Sequence, residues 1–140
     1  MANSSFLALD VGDVRVGVAL ANAEVRFANP LTTLTNDDSF WVRLEELIGE
    51  HDVILIVVGL PRNLNGDATE QTRKVEAFAE LLQAKINLPV RLQDEATTSV
   101  KAEAELRQRG KPYEKADIDA LAATYILEDY LANDTEGERA

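Results

Sequence analysis

Apolar residues fall into two rhythms along this chain, short unbroken runs and helical stripes. Residues 5–11 and 15–21 are near-continuous apolar stretches joined by a tight turn, which reads as a hairpin. A third short strand is expected within 25–34, near Pro30. Trp41, Leu44, Leu47 and Ile48 share one face of a helix over about 40–50, with Ser39 as its cap. Val53 to Val58 is apolar throughout and reads as a strand buried on both faces, ended abruptly by Gly59-Leu60-Pro61. Val75, Phe78, Leu82 and Ile86 then recur at helical spacing over about 70–86, behind a capping Thr69.

The second half continues the alternation. A short strand from Val90 to Asp94 follows Pro89, and a helix over about 98–109 stops at Gly110. Asp117 is placed to cap a last helix over 118–131, and the acidic residues after about 132 read as a disordered tail. Strand–helix alternation from residue 53 onward implies right-handed crossovers and parallel strands. Joined to the N-terminal hairpin, it predicts an α/β fold: a mixed five-stranded sheet with helices on both faces. At 140 residues this is most simply one domain, spanning 1–131 with the tail 132–140.

Asp10 breaks the apolar pattern. It stands near the end of a strand with apolar neighbours on both sides, where a charge is costly unless a metal or partner takes it up. In the expected sheet Asp10, the loop Gly59 to Gly66 and the pair Asp94-Glu95 fall at the carboxyl ends of parallel strands, where ligands of open α/β sheets collect. With the 53–58 strand between them, the backbones of Asp10 and Glu95 are roughly 10 Å apart, two strand spacings. Asp119 lies in the first turn of the last helix, on the stripe of Ala122, Ala123 and Ile126. The small residues Ala120, Ala122 and Ala123 let that end of the helix approach the sheet closely. Asp94 reads better as a strand-end turn former, and His51 as a helix-end cap.

Three carboxylates in a chain with no cysteine make an oxygen-only site, suited to Mg²⁺ or Mn²⁺. Clustered carboxylates repel, so without metal at least one should have a raised pKa. Two divalent ions would neutralise them, activate a water and stabilise the leaving oxygen in phosphodiester hydrolysis. Arg15 is equally suited to pair with a site carboxylate or to receive a substrate phosphate. Arg62, Asn63 and Asn65 stand beside the strand ends; turn formation is the commonest use of such asparagines and substrate contact the second.

The net charge of −11 argues against a nucleic-acid partner, but its distribution softens the objection. Residues 37–52 carry six acids against Arg43 alone, whereas 101–115 hold Lys101, Arg107, Arg109, Lys111 and Lys115 against three glutamates. That local excess is a weak electrostatic footprint for phosphate, as readily explained by a solvated helix face. No run approaches the ~18 apolar residues of a membrane span, and the N-terminus lacks a basic region before an apolar core. The cytosol is the expected compartment, with no membrane partner.

Four elements in order resemble the YqgF/RuvX family, the pre-16S rRNA nucleases also described as Holliday-junction-resolvase-like proteins. They are Asp10-Val11-Gly12-Asp13-Val14-Arg15-Val16-Gly17-Val18-Ala19, Val57 to Gly66, Asp94-Glu95-Ala96-Thr97-Thr98-Ser99, and Asp119-Ala120-Leu121-Ala122-Ala123. The resemblance covers about residues 6–131. It implies an RNase H-like fold, divalent-metal nuclease chemistry with Asp10, Glu95 and Asp119 as catalytic and metal-binding carboxylates, and the 5′ end of precursor 16S rRNA as substrate. Branched DNA is the other nucleic-acid partner it allows, and a monomer or weak homodimer is expected. Ala96 departs from the pattern, which usually has arginine there. The rival reading is an RNA-binding ribosome-maturation factor with little catalysis, favoured by Ala96 and the acidic surface.

Overall fold

The computed structural model describes residues 3–95 and 98–133. Strands β1 (Ser5–Val11), β2 (Arg15–Asn22) and β3 (Ala28–Thr35) form an antiparallel meander. Helix α1 (Phe40–His51) leads into β4 (Val53–Pro61), and α2 (Glu70–Lys85) into β5 (Val90–Glu95). Helices α3 (Thr98–Arg109) and α4 (Lys115–Asn133) complete the chain. The sheet order is β3-β2-β1-β4-β5, with β4 parallel to β1 and β5 parallel to β4. This is the mixed five-stranded sheet expected from the alternation of strands and helices.

Both faces of the central strands are buried, which explains their unbroken apolar runs. Leu7, Leu9, Val16, Val18, Ile56 and Val58 point to one side, where Phe40 and Leu44 of α1 and Val75 and Leu82 of α2 cover them. Phe6, Ala8, Ala19 and Val57 point to the other, beneath Ala123, Ile126 and Leu127 of α4. The second face is lined by small residues because α4 lies so close. α3 packs on α4 through Ala102, Leu106, Leu121 and Tyr125.

Several expected boundaries move. β4 continues through Gly59-Leu60-Pro61, because Gly59 pairs with Gln93, Leu60 with Asp94 and Pro61 with Glu95. Pro61 is tolerated as the last residue, where a missing N–H costs the ladder nothing. Ser39 does not cap α1 with its side chain: Asp37 accepts from both the Ser39 backbone N–H (2.9 Å) and its hydroxyl (2.6 Å). Thr69 does cap α2, in a reciprocal capping box with Thr72. α4 begins two residues before Asp117, whose carboxylate instead reaches back to the Glu114 N–H at 2.9 Å. α4 also includes Ala132 and Asn133, while 134–140 of the expected tail lie outside the described residues.

Two glycines admit α4. A β-carbon at Gly17 would fall 2.0 Å from the Asp119 carbonyl oxygen, whereas one at Gly59 would fall 2.3 Å from Cδ1 of Ile126. The second obstacle is the flexible end of a side chain. Gly59→Ala should therefore cost only about 1–2 kcal/mol. Combining it with Ile126→Val, which removes Cδ1, should cost less than the two single changes added together. Urea denaturation of the four proteins measures that coupling.

Candidate active site at the sheet edge

Asp10 ends the buried part of β1, and its register partner across β2 is Gly17, which in turn pairs with Thr33 of β3. All three positions face α4. Thr33 Oγ1 donates to the Ala116 carbonyl at 2.7 Å, anchoring the start of that helix over the row. Because Gly17 lacks a side chain, the first turn of α4 sinks onto the sheet and brings Asp119 to Asp10. Burial first, and then the charge of Asp119, push the Asp10 carboxyl up to about 6. A raised carboxylate is expected from repulsion among clustered acids; here burial is the larger cause and the charge of Asp119 the smaller.

Arg15 settles on one of its two expected roles in this structure. Its Nε contacts Asp119 Oδ2 at 2.5 Å, with Asp119 mostly shielded from water. Asp10 has no cationic partner among the described residues. The turn carrying Arg15 is braced from β3: Asn36 Nδ2 donates to the Gly12 carbonyl at 2.6 Å, and Asn36 N–H to the Val14 carbonyl at 2.8 Å. Sequence reasoning gave Asn36 no role, since nothing marks it until β3 is seen to end beside the hairpin turn.

Glu95 arrives differently. Strand order puts β4 between β1 and β5 as expected, but the register does not place Glu95 level with Asp10. Leu9 pairs with Val58 and Gly59 with Gln93, so Glu95, opposite Pro61, stands two residues further along, about 7 Å. It faces α4 and meets Asp129 there. Burial, then a hydrogen bond and charge repulsion from Asp129, push Glu95 up to about 8. Neighbouring Glu128 is also raised, chiefly by burial. Asp129 carried no signal in the sequence beyond being one more acid on the last helix. Ala96 lies outside the described residues.

The structure therefore brings together Asp10, Asp119 and Arg15, with Glu95 held two strands away at the end of β5. Among the described residues no three His, Cys, Asp or Glu side chains gather at metal-binding distance. The donor set nonetheless fits a hard divalent cation: the Asp10 and Asp119 carboxylates converge, and Asp10 lacks any compensating charge.

The remaining candidates are mostly engaged within the chain. Arg62 pairs with Asp94 at 3.1 Å, giving Asp94 a partner rather than a turn. Asn63 shapes its loop, its Oδ1 accepting from the N–H groups of Asn65 (3.0 Å) and Asp67 (2.9 Å). Arg107 pairs with Glu103 at 3.2 Å and Arg109 with Glu105 at 2.5 Å, so two of the five cations of the expected basic face are neutralised within the chain. Lys101 lies over the Tyr125 ring, 4.7 Å from its centre. Lys111 is exposed.

The sheet order, the helix crossing it and the carboxylates at its edge define an RNase H-like α/β domain. T. thermophilus RuvC, solved in complex with a Holliday junction substrate, superposes with a TM-score of 0.54 over 93% of this chain and 95% of its own, at 16% identity. The chain belongs to the RuvX family, whose model, described as Holliday junction resolvase, matches residues 4–133. A relative from Chloroflexus aurantiacus named "Putative pre-16S rRNA nuclease" is 42% identical over 94% of this chain and 88% of its own. One of the same name from Haemophilus ducreyi is 36% identical over 93% and 97%.

Proposed function

We propose that this protein is a divalent-metal-dependent nuclease that hydrolyses phosphodiester bonds during 5′-end processing of pre-16S rRNA in the cytoplasm. The observation that carries this reading is the uncompensated Asp10 carboxyl, raised to about 6 beside Asp119 at a strand end where ligands collect. The names of the relatives support RNA as substrate, and the family description keeps branched DNA as the second. Among the described residues no helix is long and apolar enough to cross a membrane.

Asp10 and Asp119 would hold Mg²⁺ or Mn²⁺, with Glu95 joining when it leaves Asp129. Bound ions supply Lewis-acid stabilisation and an activated water. The chain does the rest. Arg15 fixes the position of the Asp119 carboxylate. Gly17 sets the separation of α4 from β1, and the Asn36 brace holds the turn that carries Arg15. Glu95, raised to about 8, holds a proton at neutral pH until it is drawn away from Asp129.

Single-turnover cleavage of an RNA spanning the 16S 5′ junction tests these roles. Asp119→Asn should reduce the rate by about a thousandfold or more, in line with loss of a group acting on the reacting phosphate. Asp129→Asn should leave cleavage intact or faster, because it frees Glu95 from repulsion. Wild-type turnover in Asp119→Asn would contradict the assignment. The position of Glu95 against Asp129 favours one rival, a maturation factor that binds RNA without cutting it; tight binding with no cleavage under any divalent ion would establish that reading instead.

A further inference from the structure

Beside the carboxylates, on the β3 side of α4, lies a cavity of 240 Å³ with Tyr113, Pro30, Leu106, Lys111 and Asp117 among its walls. A second cavity runs from it along edge strand β3, past Thr32 and Thr33, and the two share Pro30, Asp117 and Ala120. Thr33 is in the same cross-strand row as Gly17 and Asp10, so this groove ends about 10 Å from Asp10, two strand spacings. The first cavity is smaller than the roughly 300–1,000 Å³ that enclose a drug-sized ligand, and its size suits one flat ring system.

Its walls have a particular chemistry. Tyr113 supplies an aromatic ring. Pro30 and Leu106 supply apolar surface. Lys111 and Arg109 add positive charge to its lining in a chain whose net charge is −11. Asp117 also lines it, its Oδ2 accepting from the Glu114 N–H. The groove between α2 and β5, by contrast, is lined by Glu76 and Glu80 and would repel a phosphate backbone.

We propose that the Tyr113 cavity seats one unstacked nucleobase of the substrate strand, next to the nucleotide at the carboxylates. The base stacks on Tyr113, Asp117 accepts from its exocyclic amino group, and Lys111 meets the adjoining phosphate. Single-stranded RNA is recognised in this way, through splayed bases stacked on aromatic side chains. Uracil, whose edge N–H is flanked by two carbonyl oxygens, is the base that a carboxylate there disfavours. The inference rests on a nucleic-acid substrate but not on its cleavage.

The test is a binding cycle between protein and RNA, measured by fluorescence anisotropy in EDTA. The RNA is a short single strand spanning the 16S 5′ junction, intact or with one abasic position moved along it. Tyr113→Leu should weaken binding of the intact strand about tenfold, the usual effect of losing one stacked base, and Tyr113→Phe should leave it unchanged. One abasic position should weaken wild-type binding to the same extent, and at that position Tyr113→Leu should add nothing. Binding without any such position, or losses that multiply at every position, would overturn the cavity assignment alone. Coupling in a protein that never cleaves would uphold the cavity and overturn the nuclease reading. Failure of every strand to bind would overturn both.

Discussion

Asp10→Asn should abolish metal-dependent cleavage and make the metal-free protein more stable. Asp10 titrates near 6 in the folded chain against an ordinary 3.8, chiefly because it is buried and secondly because Asp119 is close. A raised carboxylate contributes its stability fully below the unfolded pKa and loses it as pH rises through the folded one. The wild-type protein should thus lose stability relative to Asp10→Asn between about pH 4 and pH 6, and the gap should stay constant above that. A shift of this size corresponds to roughly 2–3 kcal/mol. Urea denaturation of both proteins in EDTA across that range measures it. Adding Mn²⁺ should raise the melting temperature of wild type and leave that of the variant unchanged, since only a protein that binds the ion gains from it. A variant less stable than wild type at pH 7 would show that Asp10 is structural.

Gly17→Ala should have the largest effect on the fold of any single methyl group. The new β-carbon would meet the Asp119 carbonyl oxygen at 2.0 Å and its carbon at 2.3 Å. Both are backbone atoms of a helix anchored by Thr33 and buried from Ala120 to Leu127, so no side chain can swing aside. α4 must lift from the sheet, at a cost of about 3 kcal/mol or more. Lifting also separates Asp119 from Asp10, so the Asp10 pKa should fall towards its ordinary value and cleavage should drop with stability. Circular dichroism on thermal unfolding, with titration of Asp10 by NMR, follows both. A Gly17→Ala protein of wild-type stability would mean that α4 does not lie against β2 as closely as described.

The strands and helices were legible because their signals are local. The apolar runs of β1, β2 and β4 and the stripe Val75, Phe78, Leu82 mark elements without reference to the rest of the chain. Asp10 was legible for the same reason, as a charge inside an apolar strand. Asp119 was legible through the small residues beside it. What the sequence could not convey depends on register and on partners far along the chain. The two-residue offset that carries Glu95 past Asp10 is fixed by how β4 pairs on its two sides. Asp129, which holds Glu95, lies 34 residues away. The basic excess of 101–115 was counted as a face, yet Arg107 and Arg109 are each four residues from a glutamate, one helical turn, and pair with it. Ser39 was a sound cap by composition, and it stands at the cap position, but its hydroxyl turns back to donate to Asp37 and makes no side-chain cap bond.

The central claim is that the carboxylates gathered by β1 and α4 cut RNA with a divalent ion. It is tested most directly by incubating the purified wild-type chain with an end-labelled RNA spanning the 16S 5′ junction. The reaction is run with Mg²⁺, with Mn²⁺ and with EDTA, and the products are resolved at nucleotide resolution beside those of Asp10→Asn. Cleavage at the junction by wild type with either ion, none in EDTA and none by the variant, is the predicted result. Cleavage that persists in EDTA or in Asp10→Asn, or an intact RNA under every ion, would contradict it.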